Sequence, residues 1–275
     1  GAKRLTTSGF TCQNPFMITS GSCPNFAGDP QRVRPRKGAS LKAFDVVVNR
    51  KRHWAEQRGL HHDIDAYLPS IIQNLFAPLS ATTEAEFRTG AGNELTDRPG
   101  EAAKMRAVHS SSALVCNVFD CWRNTDTGAI SRALGISDSL TDFYFEARLP
   151  TGLRGTPPTL DLLLVASDTR AWGVESKFTE PFQGCKTGPL FAEAYFEHDV
   201  GLWTALGLPK CQDLAERLNL GQIEFVHLDA AQLLKHALGV RRKYREGQLV
   251  LLWYHVEVPE AEVFSKEIRL FANSV

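Results

Sequence analysis

At 275 residues with 43% apolar side chains, the chain can bury a full core. No apolar run approaches the roughly 20 residues of a membrane helix, so a soluble globular protein with no membrane partner is expected. Acidic and basic residues balance at 31 each, which excludes a whole-molecule field as the source of any attraction to nucleic acid and leaves only local clusters.

The chain starts on Gly1 and its first residues lack the apolar stretch of a secretory signal. Cys12, Cys23, Cys116, Cys121, Cys185 and Cys211 stand at long spacings without CxxC steps, the pattern of free or buried thiols in a reducing cytoplasm rather than of a zinc site. Residues 1–40 are rich in Gly, Pro, Ser, Thr and Arg with no sustained period, which predicts an irregular arm. Arg32, Arg34, Arg36 and Lys37 make one basic cluster there; Arg50, Lys51, Arg52 and His53 make a second, and Arg241, Arg242, Lys243 and Arg245 a third. Each reads first as a solvated face and second as a phosphate-contacting patch.

Helical patterns follow from Ala43 to Leu79, with Ile64, Leu68, Ile71, Ile72, Leu75 and Leu79 spaced for one face. Within them His61-His62-Asp63-x-Asp65 offers groups that bind zinc or manganese, but neighbouring side chains diverge, and a capping cluster at a helix start is the stronger reading. The loop holding Gly90, Gly92, Pro99 and Gly100 predicts a boundary between an N-terminal arm and helical region, 1–100, and the remainder, 101–275.

Glu101 to Trp122 predicts a helix, because Met105, Val108, Val115, Phe119 and Trp122 recur on one stripe. Arg106, Ser110 and Asn117 fall within about 40° of one another at 100° per residue, so they face either solvent or a cleft. Ser110 and Asn117 are thereby candidate substrate contacts. The period then becomes two: Phe143, Phe145, Ala147 and Leu149 alternate with polar residues in a strand ending at Pro150. Two further strands, Leu160 to Val165 and Ala171 to Phe178, flank the turn residues Ser167, Asp168 and Thr169. Pro189 to Leu220 predicts helix within an insertion near 181–220. Asp229 to Val240 predicts a helix capped by Asp229, Leu249 to Val256 a strand covered on both sides, and Ala261 to Phe271 a closing helix. The order is helix, three strands, helices, strand, helix, an α/β class.

Asp161 stands among Leu160, Leu162, Leu163 and Leu164, where an aspartate is costly unless it is paired or binds a metal. Glu175 and Lys177 repeat the anomaly two residues apart on one strand, hence on one face. Two carboxylates and an ammonium in a small volume suit phosphodiester hydrolysis: Asp161 and Glu175 are hard ligands for Mg²⁺ or Mn²⁺, and Lys177 orients water or neutralises charge. A two-residue loop would set Asp161 opposite Ser176, on the wrong face; a loop of three or five residues, or a bulge, sets it opposite Glu175.

The run Pro157-Pro158-Thr159-Leu160-Asp161, then thirteen residues, then Glu175-Ser176-Lys177, resembles the signature of the PD-(D/E)XK nuclease superfamily. Val174-Glu175-Ser176-Lys177-Phe178-Thr179-Glu180-Pro181 is similar to a bacterial group of restriction-endonuclease-like proteins of poorly defined role. The resemblance covers about Glu101 to Glu257. It implies a core of helix, three-strand meander, helix and strand, here with an added N-terminal region and a helical insertion. It further implies a Mg²⁺- or Mn²⁺-dependent DNA endonuclease leaving 5′-phosphate and 3′-hydroxyl ends, and it is compatible with a homodimer. Many members carry a glutamate on the first core helix, where this chain has Ser110, Ser111, Ser112 and Asn117; Glu146 is the substitute. Gln232, in Gln232-Leu233-Leu234-Lys235-His236, resembles a glutamine that some relatives place on the helix after the third strand. Arg241 and Arg242 are candidate DNA contacts. The competing reading is a catalytically silent nuclease-fold module that binds DNA or a protein, with Glu175 and Lys177 as a structural ion pair.

Overall fold

The structure, a computed structural model of the chain, describes residues 16–21, 42–90, 92–183, 189–197 and 199–275. Three strands, β2 (Asp142–Arg148), β3 (Thr159–Val165) and β4 (Ala171–Lys177), form an antiparallel meander. β5 (Gln248–Tyr254) joins β4 in parallel, and β1 (Phe16–Gly21) joins β5 in parallel, giving one sheet in the order β1-β5-β4-β3-β2. The strand β1 replaces part of the irregular arm expected for residues 1–40; the rest of that arm, with the first basic cluster, Cys12 and Cys23, lies outside the described residues, as does Cys185 in the insertion. Cys116 and Cys211 are buried free thiols and Cys121 is an exposed one.

Helices cover both faces, so the mixed α/β class holds. Phe143, Phe145, Leu162, Leu164, Trp172, Val174 and Val250 pack on one side with Val115, Cys116 and Phe119 of α3 (Ser111–Phe119) and with Ile130 and Leu134 of α4 (Gly128–Leu134). On the other, Leu163, Val165, Ala171, Leu249 and Leu251 meet α5 (Pro209–Asn219), α6 (Ala230–Lys243) and α7 (Pro259–Ser274). That α6 can approach β4 depends on Gly173: a Cβ there would lie 2.8 Å from Val240 Cγ2 and 2.9 Å from Leu160 Cδ1. Side-chain caps set several helix starts. Ser110 accepts from Ala113 N, Asp229 from Gln232 N, and Pro209 and Pro259 occupy the first helical positions of α5 and α7. Among the described residues no helix is long and apolar enough to cross a membrane.

The long helices expected upstream and in the insertion are shorter. Ala43 to Leu79 contains α1 (Ala43–Glu56) and then only a short 3₁₀ turn, and Ile64 is 87% exposed rather than on a buried face. Glu101 to Trp122 is helical only over α3 with 3₁₀ turns before and after, because Ser110 serves as a cap and stops the helix from extending back. Pro189 to Leu220 yields α5, preceded by 3₁₀ turns; Gly201 and Gly207 adopt φ of +75° and +76°, which breaks a continuous helix. In α2 (Ala81–Thr89), Glu86 Oε2 takes Phe145 N–H at 3.1 Å, and Arg123 Nη1 donates to Phe143 O at 2.8 Å. These side chains satisfy backbone groups on the free edge of β2, protecting it from further strand pairing.

Candidate active site

The β3–β4 register pairs Leu162 with Val174 and Val165 with Ala171, leaving a five-residue loop, 166–170. Extended one step, this odd offset sets Asp161 opposite Glu175. The ladder itself stops short of that pair. Asp161 Oδ2 instead accepts the Ser176 N–H at 2.6 Å, so the aspartate bonds to the backbone between Glu175 and Lys177. On its other side, Phe145 pairs with Leu162 and Ala147 with Leu160, while Glu146, opposite Asp161, adopts φ +51°. A left-handed glutamate in a strand is strained, and the β2–β3 ladder skips it at the level of the aspartate, where the β3–β4 ladder has also ended. Face alternation breaks there too: Leu160 packs on the α6 side with Leu163, rather than with Leu162 and Leu164. Asp161 therefore sits where the strands part, and it keeps part of its surface open.

Lys177 Nζ lies 2.7 Å from Glu175 Oε1 and 2.8 Å from Gln232 Oε1. Glu175 Oε2 lies 3.2 Å from His236 Nε2, ion-pair distance but off the line of a hydrogen bond. Burial pushes the Asp161 carboxyl well above the carboxylate range, and the neighbouring Glu175 charge adds to the effect. Burial also pushes Glu175 up, but Lys177 and His236 outweigh it and bring that carboxyl down to about 2. Lys177 is held above its ordinary value: burial opposes its charge, and Glu175 with Asp161 more than compensates. The arrangement is one strongly acidic carboxylate, one protonated ammonium and one carboxylate that resists ionisation unless further positive charge arrives.

Glu146 is brought to this group. Burial lifts its carboxyl to about 7, helped by the charges of Glu94 and Glu175. Glu94 was not singled out in the sequence. It is 9% exposed, bridges Lys104 at 3.3 Å, and follows a Gly-rich loop in which a Cβ on Gly90 would lie 3.1 Å from Glu146 Oε2. Nothing periodic marks a glutamate in such a loop; only tertiary contact places it. His236 was also missed, although a histidine between Leu233, Leu234, Ala237 and Leu238 carries the same signal as Asp161 among leucines. Among the described residues no group of three or more His, Cys, Asp or Glu side chains forms a ready-made metal cage.

Glu146 makes stability pH-dependent. Its folded pKa stands above the unfolded value of 4.5, so the folded state holds a proton that the unfolded chain has released; this contribution is complete below about pH 4.5 and is lost as pH rises through about 7. In chelator, the melting temperature of Glu146→Gln should gain on that of the wild-type chain between those limits. Parallel curves in thermal scans would remove the buried proton.

Other expected contacts lie elsewhere. Ser110 is the α3 cap, and Asn117 is engaged on both sides, its Oδ1 accepting Phe76 N–H at 2.6 Å and its Nδ2 donating to Asn74 O at 2.9 Å. Arg106 binds both oxygens of Asp97 and donates to Leu68 O. The shared helical stripe is thus corrected: Arg106 and Ser110 precede the helix, Arg106 and Asn117 tie loops together, and Ser110 caps α3. Arg241 leaves α6 about 180° from Gln232 at 100° per residue and donates to Leu206 O at 3.3 Å; Arg242 donates to Thr151 O at 3.5 Å. With Lys243 and Arg245 they line a separate surface pocket. In the second basic cluster, Lys51 lies over the rings of Trp54, Phe178 and Tyr254, and Arg52 donates to Ile64 O. At 61–65, Asp63 Oδ1 takes the N–H groups of Asp65 and Tyr67 at 3.0 and 2.8 Å, a local turn rather than a helix start.

Compared with known proteins, residues 48–271 match a family model described as restriction endonuclease associating with ARP. No curated protein and no solved structure matches the chain.

Proposed function

Because the chain belongs to that restriction endonuclease family, we propose that it is a Mg²⁺- or Mn²⁺-dependent deoxyribonuclease that hydrolyses phosphodiester bonds to 5′-phosphate and 3′-hydroxyl ends. The observation that carries the reading is the meeting of Asp161 with the Glu175-Ser176-Lys177 backbone at the point where β2, β3 and β4 part. The antiparallel meander followed by α6 and a parallel β5 supports a restriction-endonuclease-like core. Association with ARP, which the family description names, comes to this chain as part of the same proposal.

The donors fit a hard divalent cation. Asp161 and Glu175 supply carboxylate oxygens, and the raised pKa of Asp161 is the mark of a site short of positive charge. Mg²⁺ commonly takes only one or two carboxylates, with water and phosphate completing its shell, so a preformed cage of three ligands is not required. When bound, the cation supplies charge that offsets the phosphoryl oxygens and favours ionisation of an attacking water.

The remaining work falls to the chain. Lys177 stays protonated, so it acts as a donor and a fixed positive charge, not as a base. Two of its three N–H groups face Glu175 and Gln232, which leaves the third for water or a phosphoryl oxygen. Gln232 fixes the ammonium through its amide oxygen and is itself set at the start of α6 by the Asp229 cap. Glu146, with its carboxyl near 7, can take up a proton at neutral pH.

The direct test incubates plasmid, linear and single-stranded DNA with the protein and Mn²⁺. Cleavage is expected to fall by at least about 100-fold in Lys177→Met, the scale for losing one charge-stabilising donor. No cleavage of any substrate by the wild-type chain, with no Asp161-dependent Mn²⁺ binding, would favour the silent binding module.

A further inference from the structure

His236 is 1% exposed and lies one turn after Gln232 on α6, so the two side chains leave the helix within about 40° of each other. Gln232 meets Lys177 and His236 meets Glu175, so a single helix touches both charged residues of the E-x-K segment. The histidine is not explained by packing. Nδ1, Nε2 and the facing Glu175 Oε2 are all sealed from solvent and lack a hydrogen-bond partner, while leucine at this position would extend the apolar stripe of Leu233, Leu234, Ala237 and Leu238 without burying two unpartnered ring nitrogens.

We propose that His236 is a positioning residue that aligns the Glu175 carboxylate for the divalent cation. Glu175 is gripped from two sides, by the Lys177 ammonium on Oε1 and by the His236 ring on Oε2. The first contact is a formed hydrogen bond; the second has the distance but not the direction. Rotation of the carboxylate about its last bond decides whether Oε2 falls in line with Nε2 and which lone pairs remain for a cation. A buried carboxylate without that second grip keeps its rotational freedom, and ordering it then costs binding free energy. The inference rests on the nuclease reading of the same site.

The test is calorimetric titration of the full chain with Mn²⁺, with melting temperatures measured in chelator. Wild-type binding that vanishes in Asp161→Asn establishes the site. His236→Leu should weaken Mn²⁺ binding about 10- to 100-fold, the usual range for residues that orient a metal ligand, and lower the melting temperature, because the buried Glu175 loses one of its two partners. His236→Gln, whose amide N–H reaches where Nε2 stands, should recover most of the affinity; if the leucine variant fails to fold, His236→Asn, too short to reach Glu175, replaces it. Unchanged affinity in the leucine or asparagine variant overturns the positioning role while leaving the nuclease reading intact, as does equal weakness of the glutamine variant. Absence of Mn²⁺ binding to the wild-type chain overturns both.

Discussion

Asp161→Asn is expected to reduce DNA cleavage by about 10³-fold or more while leaving the melting temperature unchanged or higher. The activity half follows from removing one of two carboxylates proposed to hold the cation. The stability half follows from the aspartate's surroundings: burial and Glu175 both oppose its ionisation. A carboxyl whose folded pKa is raised contributes stability that is complete below its unfolded pKa and is lost as pH rises through the folded one, so above the unfolded pKa the carboxyl makes folding less favourable than it is in acid. Asparagine has the same shape without the charge, and its carbonyl still accepts the Ser176 N–H. Plasmid cleavage with Mn²⁺ and thermal scans in chelator measure the two halves. A variant that cleaves at the wild-type rate would remove Asp161 from the chemistry, and one that melts well below the wild-type chain would make it a structural residue. Activity lost together with stability held or gained is the pattern of a site kept for function against the interest of folding.

The meander was readable because β2 obeys period two and because two short apolar runs, Leu160–Val165 and Ala171–Val174, flank polar turn residues; both runs are buried on two faces, so alternation left their register open, and the odd offset followed from requiring Asp161 and Glu175 on one face. The acid on one run and the E-x-K on the next could be placed on adjacent strands for the same reason. What lay beyond reach was the irregularity that shapes the site. The left-handed φ of Glu146 is held by contacts from distant residues, among them Glu86 on Phe145 N and the loop at Gly90 over the Glu146 carboxylate. Local preference opposes such a conformation, so no sequence pattern announces it. Glu94 likewise reaches the site through tertiary packing alone. The helix over 101–122 failed for a different reason. Its apolar spacing was real, but Ser110 bonds to the backbone as a cap, and that local bond competes with continued helix. On α6 the helical period sends Gln232, a candidate for the catalytic group, and Arg241, a candidate DNA contact, to opposite sides, so the two serve different surfaces.

Trp203→Ala should lower the unfolding free energy by about 3–5 kcal/mol, the range for truncating a large buried aromatic, as measured by equilibrium urea denaturation. Trp203 is fully buried in the insertion before α5, stacked on Tyr195 with ring centroids 5.7 Å apart and edge-on to Phe191 at 5.8 Å. Its Nε1 donates to Leu234 O at 2.8 Å. Leu234 lies between Gln232 and His236 in sequence, so the tryptophan holds the insertion against the same turn of α6 that grips Lys177 and Glu175 from its other side. Trp203→Phe separates the two contributions: it keeps most of the ring packing and loses the hydrogen bond, so a cost near 1 kcal/mol is expected. Because Trp203 touches neither Glu175 nor Lys177, a fall in cleavage by Trp203→Ala under conditions where it remains folded would show that the insertion sets the position of α6. A loss below 1 kcal/mol in the alanine variant would mean that the insertion is a surface appendage and that α6 is held by the sheet alone.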